Sequence, residues 1–191
     1  LFNIANMMEM GFLENYPSIQ GAAIIWTPGE AGMESVAQML AGQINPSGKL
    51  QDTVAYHVSD HPSTANFGDY TYADQKANFV EYEEGIYVGY RYFETIPGAA
   101  EKVRYPFGFG LSYTDFEMSG AFCGESEGKI VAVVTVKNIG KVSGKEVVQL
   151  YYSAPQGKLG KPSKELAAFA KTKLLAPGES QTVALSFDIN D

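Results

Sequence analysis

The chain is poor in the residues that build covalent and metal cross-links: it has one cysteine, Cys123, and two histidines, His57 and His61. A lone cysteine excludes an intramolecular disulfide and fits a reducing compartment, so the cytoplasm is the expected location. Runs of five like charges are also missing. The formal charge of -8 is therefore spread thinly, which excludes the basic stripe that nucleic-acid phosphates require. Nothing approaches the ~18 consecutive apolar residues of a membrane span, and the longest apolar run, 21–26, suits a buried strand. A soluble globular protein remains, with 45% hydrophobic residues supplying one or two cores. The opening residues Leu1 to Met8 lack an initiator Met, a basic leader and a cleavage site, and read as part of a longer protein.

What is present begins with residues 105–116, which hold five aromatics and two glycines. Gly108 and Gly110 allow a tight backbone path while Phe107, Phe109, Tyr113 and Phe116 offer apolar faces, so the segment reads as a packed seam between domains 1–104 and 105–191. Ahead of it the grammar is α/β: an apolar start, a short helix over 9–15, a strand at 22–26 and a helix over 30–41 packing on a sheet. In that helix Met33, Val36, Ala37 and Leu40 share one face, Pro28-Gly29 precedes it and Gly42 stops it. Asn45-Pro46-Ser47-Gly48 then turns the chain into an extended piece at 49–56. Residues 58–76 form a long polar loop carrying Phe67, Tyr70 and Tyr72. After the seam the period becomes two: 129–137 and 146–153 read as adjacent strands, with 164–175 and 180–187 as two more around a Pro177-Gly178 turn of type II. About seven short strands are expected, as in an immunoglobulin-like sandwich without the antibody cysteine pair.

Chemistry is hard to place. His57 and His61 stand four apart, as zinc ligands on a helix would, but Asp60 and Pro62 favour an ordinary loop. Gly108-Phe109-Gly110 lacks the third glycine, strand and helix of a dinucleotide site. Ser47 and Ser112 sit outside any nucleophile elbow. Glu30, Glu34, Asp52, Asp60, Asp69, Asp74, Glu81, Glu83, Glu84 and Glu94 are numerous without defining a pair: Glu30 suits a helix dipole and Glu81, Glu83 and Glu84 a solvated face. Phe67, Tyr70 and Tyr72 fit packing better than sugar stacking. No catalytic, cofactor-binding or metal residue is assigned.

The succession Trp26-x-Pro28-Gly29, Asn45-Pro46-Ser47-Gly48-Lys49-Leu50, Glu84-Gly85-Ile86-Tyr87-Val88-Gly89-Tyr90-Arg91-Tyr92-Phe93 and Tyr105-Pro106-Phe107-Gly108-Phe109-Gly110-Leu111-Ser112-Tyr113-Thr114 resembles glycoside hydrolase family 3, typified by β-glucosidases. Gly144 to Tyr151, Pro162-Ser163-Lys164-Glu165-Leu166, Phe169-x-Lys171 and Leu175-x-Pro177-Gly178-Glu179 resemble its fibronectin type III-like domain. The resemblance implies an α/β sandwich fragment followed by an all-β immunoglobulin-like (fibronectin type III-like) sandwich. It also implies that a barrel supplies an aspartate nucleophile and that the α/β domain supplies an acid/base glutamate, both outside this chain. Glu30-Ala31-Gly32-Met33 departs from the family's Gln-Glu-Gly-Gly, which weakens any role for Glu30. Residues 60–68 and 187–191 resemble a bacterial branch in which the barrel follows the sandwich domains.

The expected function is therefore that of a scaffold within a retaining, exo-acting β-glycosidase acting on a β-glucoside or oligosaccharide without a cofactor, the separate chain being inactive. A noncatalytic glycan- or protein-binding module is the alternative. Exposed sandwich edges add the expectation of a homodimer.

Overall fold

The computed structural model describes residues 1–68, 70–71, 78–79 and 82–189. In chain order the elements are a 3-10 turn Gly11–Asn15, helix α1 Gly29–Leu40, strand β1 Val54–Ala55, 3-10 turns Val58–Asp60 and Pro62–Asn66, and strands β2 Tyr70–Thr71 and β3 Asn78–Phe79. Helix α2 Tyr90–Thr95, a 3-10 turn Ala100–Lys102 and β4 Val103–Tyr105 follow, then β5 Phe116–Ser126, β6 Lys129–Asn138, β7 Val147–Tyr152, β8 Glu165–Lys171 and β9 Ser180–Asp188. No helix of the described residues is long and apolar enough to cross a membrane.

The chain forms two compact units. One comprises Leu1–Thr27, Leu50–Phe109 and Ser153–Lys164; the other comprises Pro28–Lys49, Gly110–Tyr152 and Glu165–Asp191. In the first, the apolar start and the strand expected at 22–26 meet only in one parallel bridge, Phe2 with Ile24, held by Phe2 N–H to Ala23 O at 2.8 Å and Ile25 N–H to Phe2 O at 2.9 Å. β1 pairs antiparallel with β4, shorter than the extended piece expected over 49–56. Ala55, Phe93 and Ala99 form a small core beneath Tyr92 and Val103. Half of the aromatic seam belongs here: Tyr90 packs on Phe107 and Tyr105 on Phe109, each pair with centroids 4.9 Å apart. Leu50 clasps this segment, donating to Phe109 O and accepting from Gly108 N–H, both at 2.7 Å.

The second unit is a two-sheet sandwich, β5-β6-β9 facing β7-β8 across an apolar core. Period-two alternation puts Val134 and Val136 of β6, Val148 and Leu150 of β7, Ala168 and Ala170 of β8, and Val183 and Leu185 of β9 on the inner faces, around Leu175. Two expectations need correction. β6 and β7, read as adjacent, lie in different sheets, because alternation identifies inward faces but not pairing partners. Between residues 105 and 189 beyond the seam there are five strands, β5 to β9, rather than about seven.

One strand lies where the sequence shows no period-two pattern. β5 is polar and glycine-containing, yet it pairs with β6 along most of its length. Its signal was Glu127-Gly128, whose φ values of 52° and 77° make a two-residue hairpin turn with both central residues left-handed. The turn at 176–179 matches its expected type: Gly178 has φ of 80° and Glu179 N–H donates to Ala176 O at 2.9 Å.

Helix α1 covers the expected span and ends as expected. Gln43 N–H reaches back to Gln38 O at 2.8 Å and Gly42 N–H to Met39 O at 3.0 Å, the paired bonds that a left-handed glycine permits. Its apolar face is only partly covered. Val36 is buried, whereas Met33 is 48% and Leu40 61% exposed.

Candidate functional site

The two parallel segments of the first unit end side by side. Past Phe2 the chain runs through Asn3 to Met7; past Ile24 it reaches Trp26. Between them opens a cavity of about 350 Å³ lined by Ala5, Asn6, Met7, Trp26, Gln51 and Asp52. Trp26 adopts φ of 52°, a left-handed conformation that a bulky residue takes only when its surroundings enforce it, at a cost on the order of 1–3 kcal/mol. Asp52 is positioned by its own backbone neighbour, Thr53 N–H donating to Asp52 Oδ1 at 2.8 Å. The other carboxylate oxygen has no hydrogen bond or ion pair among the described residues.

A second cavity of about 460 Å³ shares Asn6, Met7 and Asp52 and continues past Val58 and His61 to Phe67. Both therefore form one groove. The His61 ring meets Phe93 edge-on at 5.2 Å, which anchors it in the aromatic core, and Phe67 stands 74% exposed at the far rim.

The residues singled out earlier are distributed as follows. His57 and His61 precede separate 3-10 turns. Among the described residues no group of three or more His, Cys, Asp or Glu side chains is arranged to hold a metal ion. Asp60 pairs with Lys102 at 3.3 Å and Glu94 with Lys164 at 3.1 Å, while Glu34 accepts from Gln38 Nε2 at 3.3 Å. Glu30 lies in the first turn of α1. Asp69, Tyr72, Asp74 and Glu81 lie outside the described residues, as does the side chain of Tyr70. Gly108, with φ of 80°, and Gly110 shape a turn, with no strand and helix around them in nucleotide-binding order.

Ser112 and the motif Asn45 to Leu50 find their partners in each other rather than in a catalytic base. Asn45 Oδ1 accepts from Ser112 Oγ at 2.9 Å and from Tyr113 N–H at 2.8 Å, and its Nδ2 donates to Ser143 O at 3.1 Å. Lys49 Nζ donates to Gly110 O at 2.9 Å and pairs with Glu146 at 2.8 Å in a largely shielded position. Gly110 is obligatory for a steric reason: a Cβ there would run into Gly48 O. Within the sandwich unit, these motif residues form a hydrogen-bonded latch.

Sequence reading missed Asn138. It is fully buried and saturates its amide: Oδ1 accepts from Thr114 Oγ1 at 2.8 Å and Gly140 N–H at 3.1 Å, and Nδ2 donates to Val142 O at 2.8 Å and Leu175 O at 2.9 Å. Only a loop folding back over a strand end could reveal this. The spacing Asn138-x-Gly140 was the available trace.

By fold, this is an α/β segment followed by an immunoglobulin-like sandwich. Residues 1–90 match the glycosyl hydrolase family 3 C-terminal domain and residues 146–191 the fibronectin type III-like domain. The chain belongs to glycosyl hydrolase family 3. It is 48% identical over 206 residues to beta-glucosidase A of Butyrivibrio fibrisolvens, covering 100% of this chain and 24% of that relative. To the beta-glucosidase of Ruminococcus albus it is 43% identical over 191 residues, covering 100% and 19%. Among solved structures, a beta-glucosidase from Paenibacillus barengoltzii superposes with TM-score 0.82 at 47% identity over 98% of this chain and 20% of that one. Beta-glucosidase 3B from Thermotoga neapolitana in complex with glucose gives 0.84 at 40% identity, covering 98% and 25%. The chain thus spans a quarter or less of the length of these relatives.

Proposed function

We propose that this chain scaffolds part of a retaining, exo-acting β-glucosidase that removes terminal non-reducing β-linked sugars. The observation carrying this reading is full-length coverage of the chain by relatives named beta-glucosidase, at 48% and 43% identity. Retaining hydrolysis uses two carboxyl groups about 5–5.5 Å apart, one attacking the anomeric carbon and the other protonating the leaving oxygen, then activating water. We assign both to parts of the parent protein outside these residues and no catalytic residue to this chain. Residues 1–104 are taken as α/β sandwich domain and 105–191 as fibronectin-like sandwich; the family matches at 1–90 and 146–191 support that division.

The parent is further read as a bacterial, cytoplasmic homodimer active in carbohydrate metabolism. The bacterial relatives support its origin and unpaired Cys123 its compartment. Association is supported by β5, an edge strand on which Met118 and Phe122 are 50% and 69% exposed. The test is an assay of the complete reading frame on an aryl β-glucoside and cellobiose, beside the 191-residue chain. The complete protein should cleave both and the chain neither; a complete protein that leaves both intact overturns the assignment.

A further inference from the structure

The motif Phe169-x-Lys171, which the scaffold role does not use, lies on β8 beside its partner strand β7. Val148 and Leu150 of β7 and Ala168 and Ala170 of β8 turn into the sandwich core, so strand alternation turns Gln149, Phe169 and Lys171 to the outer face of this sheet. Phe169 is 69% exposed there and stands opposite Gln149 in the register, with Lys171 opposite Val147. Tyr151 fixes the Gln149 amide, donating its hydroxyl to Oε1 at 3.0 Å. Lys171 follows Phe169 about 6.8 Å along the strand. It lies close to Lys145 and Lys49 within the same unit. Partial burial lowers its pKa, and both of those lysines lower it further against the pull of Glu146. Glu146 is already engaged by Lys49 at 2.8 Å and by Val147 N–H at 2.6 Å, so an anion from outside would relieve the crowding of cations at this end of the face.

We propose that the outer face of β7 and β8 binds an acidic pyranose, a uronic acid within a glycan chain, with its ring against Phe169, a hydroxyl on Gln149 and its carboxylate on Lys171 and Lys145. These groups match three parts of one sugar. An aromatic ring takes the apolar C–H face, a fixed side-chain amide bonds a hydroxyl, and an ammonium holds a carboxylate through a charge-assisted bond. A bare inorganic anion would leave Phe169 and Gln149 unused. An acidic peptide gains most of its affinity from main-chain bonds to a sheet edge, whereas these side chains stand on the face. That the anion is a sugar rests on the proposed function, which sets the parent among glycan chains; that the sugar is acidic rests on the lysines.

Calorimetry with an oligosaccharide of glucuronic acid joined as in cellulose, beside the matching cello-oligosaccharide, tests this on the complete protein and on the 191-residue chain. The two probes differ only in their carboxylates, so the acidic one should bind saturably and the neutral one about tenfold more weakly. Lys171→Gln and Phe169→Ala should each weaken binding of the acidic probe about tenfold, and added salt should weaken it more for the parent than for Lys171→Gln. Both side chains are exposed, so the variants should keep the parent's urea midpoint, and in the complete protein they should leave turnover of an aryl β-glucoside unchanged. Equal binding of the two sugars overturns the proposal, as does displacement of the acidic sugar by polyglutamate of equal charge, which would make the face a docking surface for acidic protein. Binding by the 191-residue chain and not by the complete protein also overturns it, because the face is then covered in the parent. If the complete protein cleaves no β-glucoside yet binds the acidic sugar, the glucosidase reading falls and this site stands. Cleavage without such binding removes the site alone.

Discussion

Thr114 Oγ1 donates to Asn138 Oδ1 across 2.8 Å, and both residues are buried. That bond ties the end of the aromatic seam to the end of β6 inside the sandwich unit. Because Asn138 also holds Gly140, Val142 and Leu175, its amide substitutes for a missing piece of sheet where β6 stops.

Asn138→Ala should therefore leave the Val142 carbonyl, the Gly140 N–H and the Thr114 hydroxyl short of partners, while Leu175 O keeps the Gly144 N–H at 3.0 Å. Each buried unsatisfied group costs about 1–3 kcal/mol before relaxation, so a net loss of about 3 kcal/mol is expected. Urea unfolding checks it: the midpoint should drop with an unchanged slope. Thr114→Val, which removes one bond while nearly keeping the shape, should cost about 1–2 kcal/mol.

Gly110→Ala tests the latch sterically. The added methyl meets Gly48 O, a backbone atom that can yield only by moving the turn, so a loss of more than about 2 kcal/mol is expected. A variant as stable as the parent by thermal unfolding would mean that the turn is softer than its geometry indicates.

Lys49→Met removes one member of a shielded ion pair together with the bond to Gly110 O. Glu146 then keeps Val147 N–H at 2.6 Å but loses its cation. A destabilisation of about 1–3 kcal/mol follows, with little dependence on salt because the pair is screened poorly by solvent. Comparing unfolding at low and high ionic strength separates this from a surface effect.

Thr53 runs the other way. Its side chain is buried, and its hydroxyl has no hydrogen-bond partner among the described residues. Thr53→Val keeps the shape and relieves the unmet hydroxyl, so the 191-residue chain should gain about 1 kcal/mol. A loss in calorimetry would reveal a partner that the hydroxyl needs.

Acid should loosen the turn between β8 and β9. Lys173, at 2.7 Å, and the Ala176 N–H, at 2.9 Å, hold the Glu179 carboxyl below the usual value of 4.5. A depressed folded-state pKa means that the stabilisation is complete above pH 4.5 and is lost as pH falls through the lower folded value. Melting temperature followed from neutral to acid pH should fall more steeply for the parent than for Glu179→Gln, and parallel curves would contradict the assignment.

Much of this was legible along the chain. Helix α1 and its Gly42 stop follow from spacing and a cap, and strands β6, β7 and β9 follow from β-branched and aromatic residues, because both signals arise between near neighbours. β5 escaped notice because its exposed polar face and glycine-made bulge give no period-two pattern, and its partnering is settled by a hairpin two residues long. The parallel contact of Phe2 with Ile24 escaped as a groove for another reason: both segments were seen, but what lies at their ends depends on which ends adjoin.

The amino-acid order alone determined the family, since its motifs rest on residue identity and local spacing. Only the tertiary structure decided that Asn45 latches the segment around Ser112, that Asn138 closes β6, and that Asn6, Trp26 and Asp52 share one groove. Those arrangements join residues tens of positions apart, and their geometry is set by which surfaces must be buried together, a condition that no local pattern encodes.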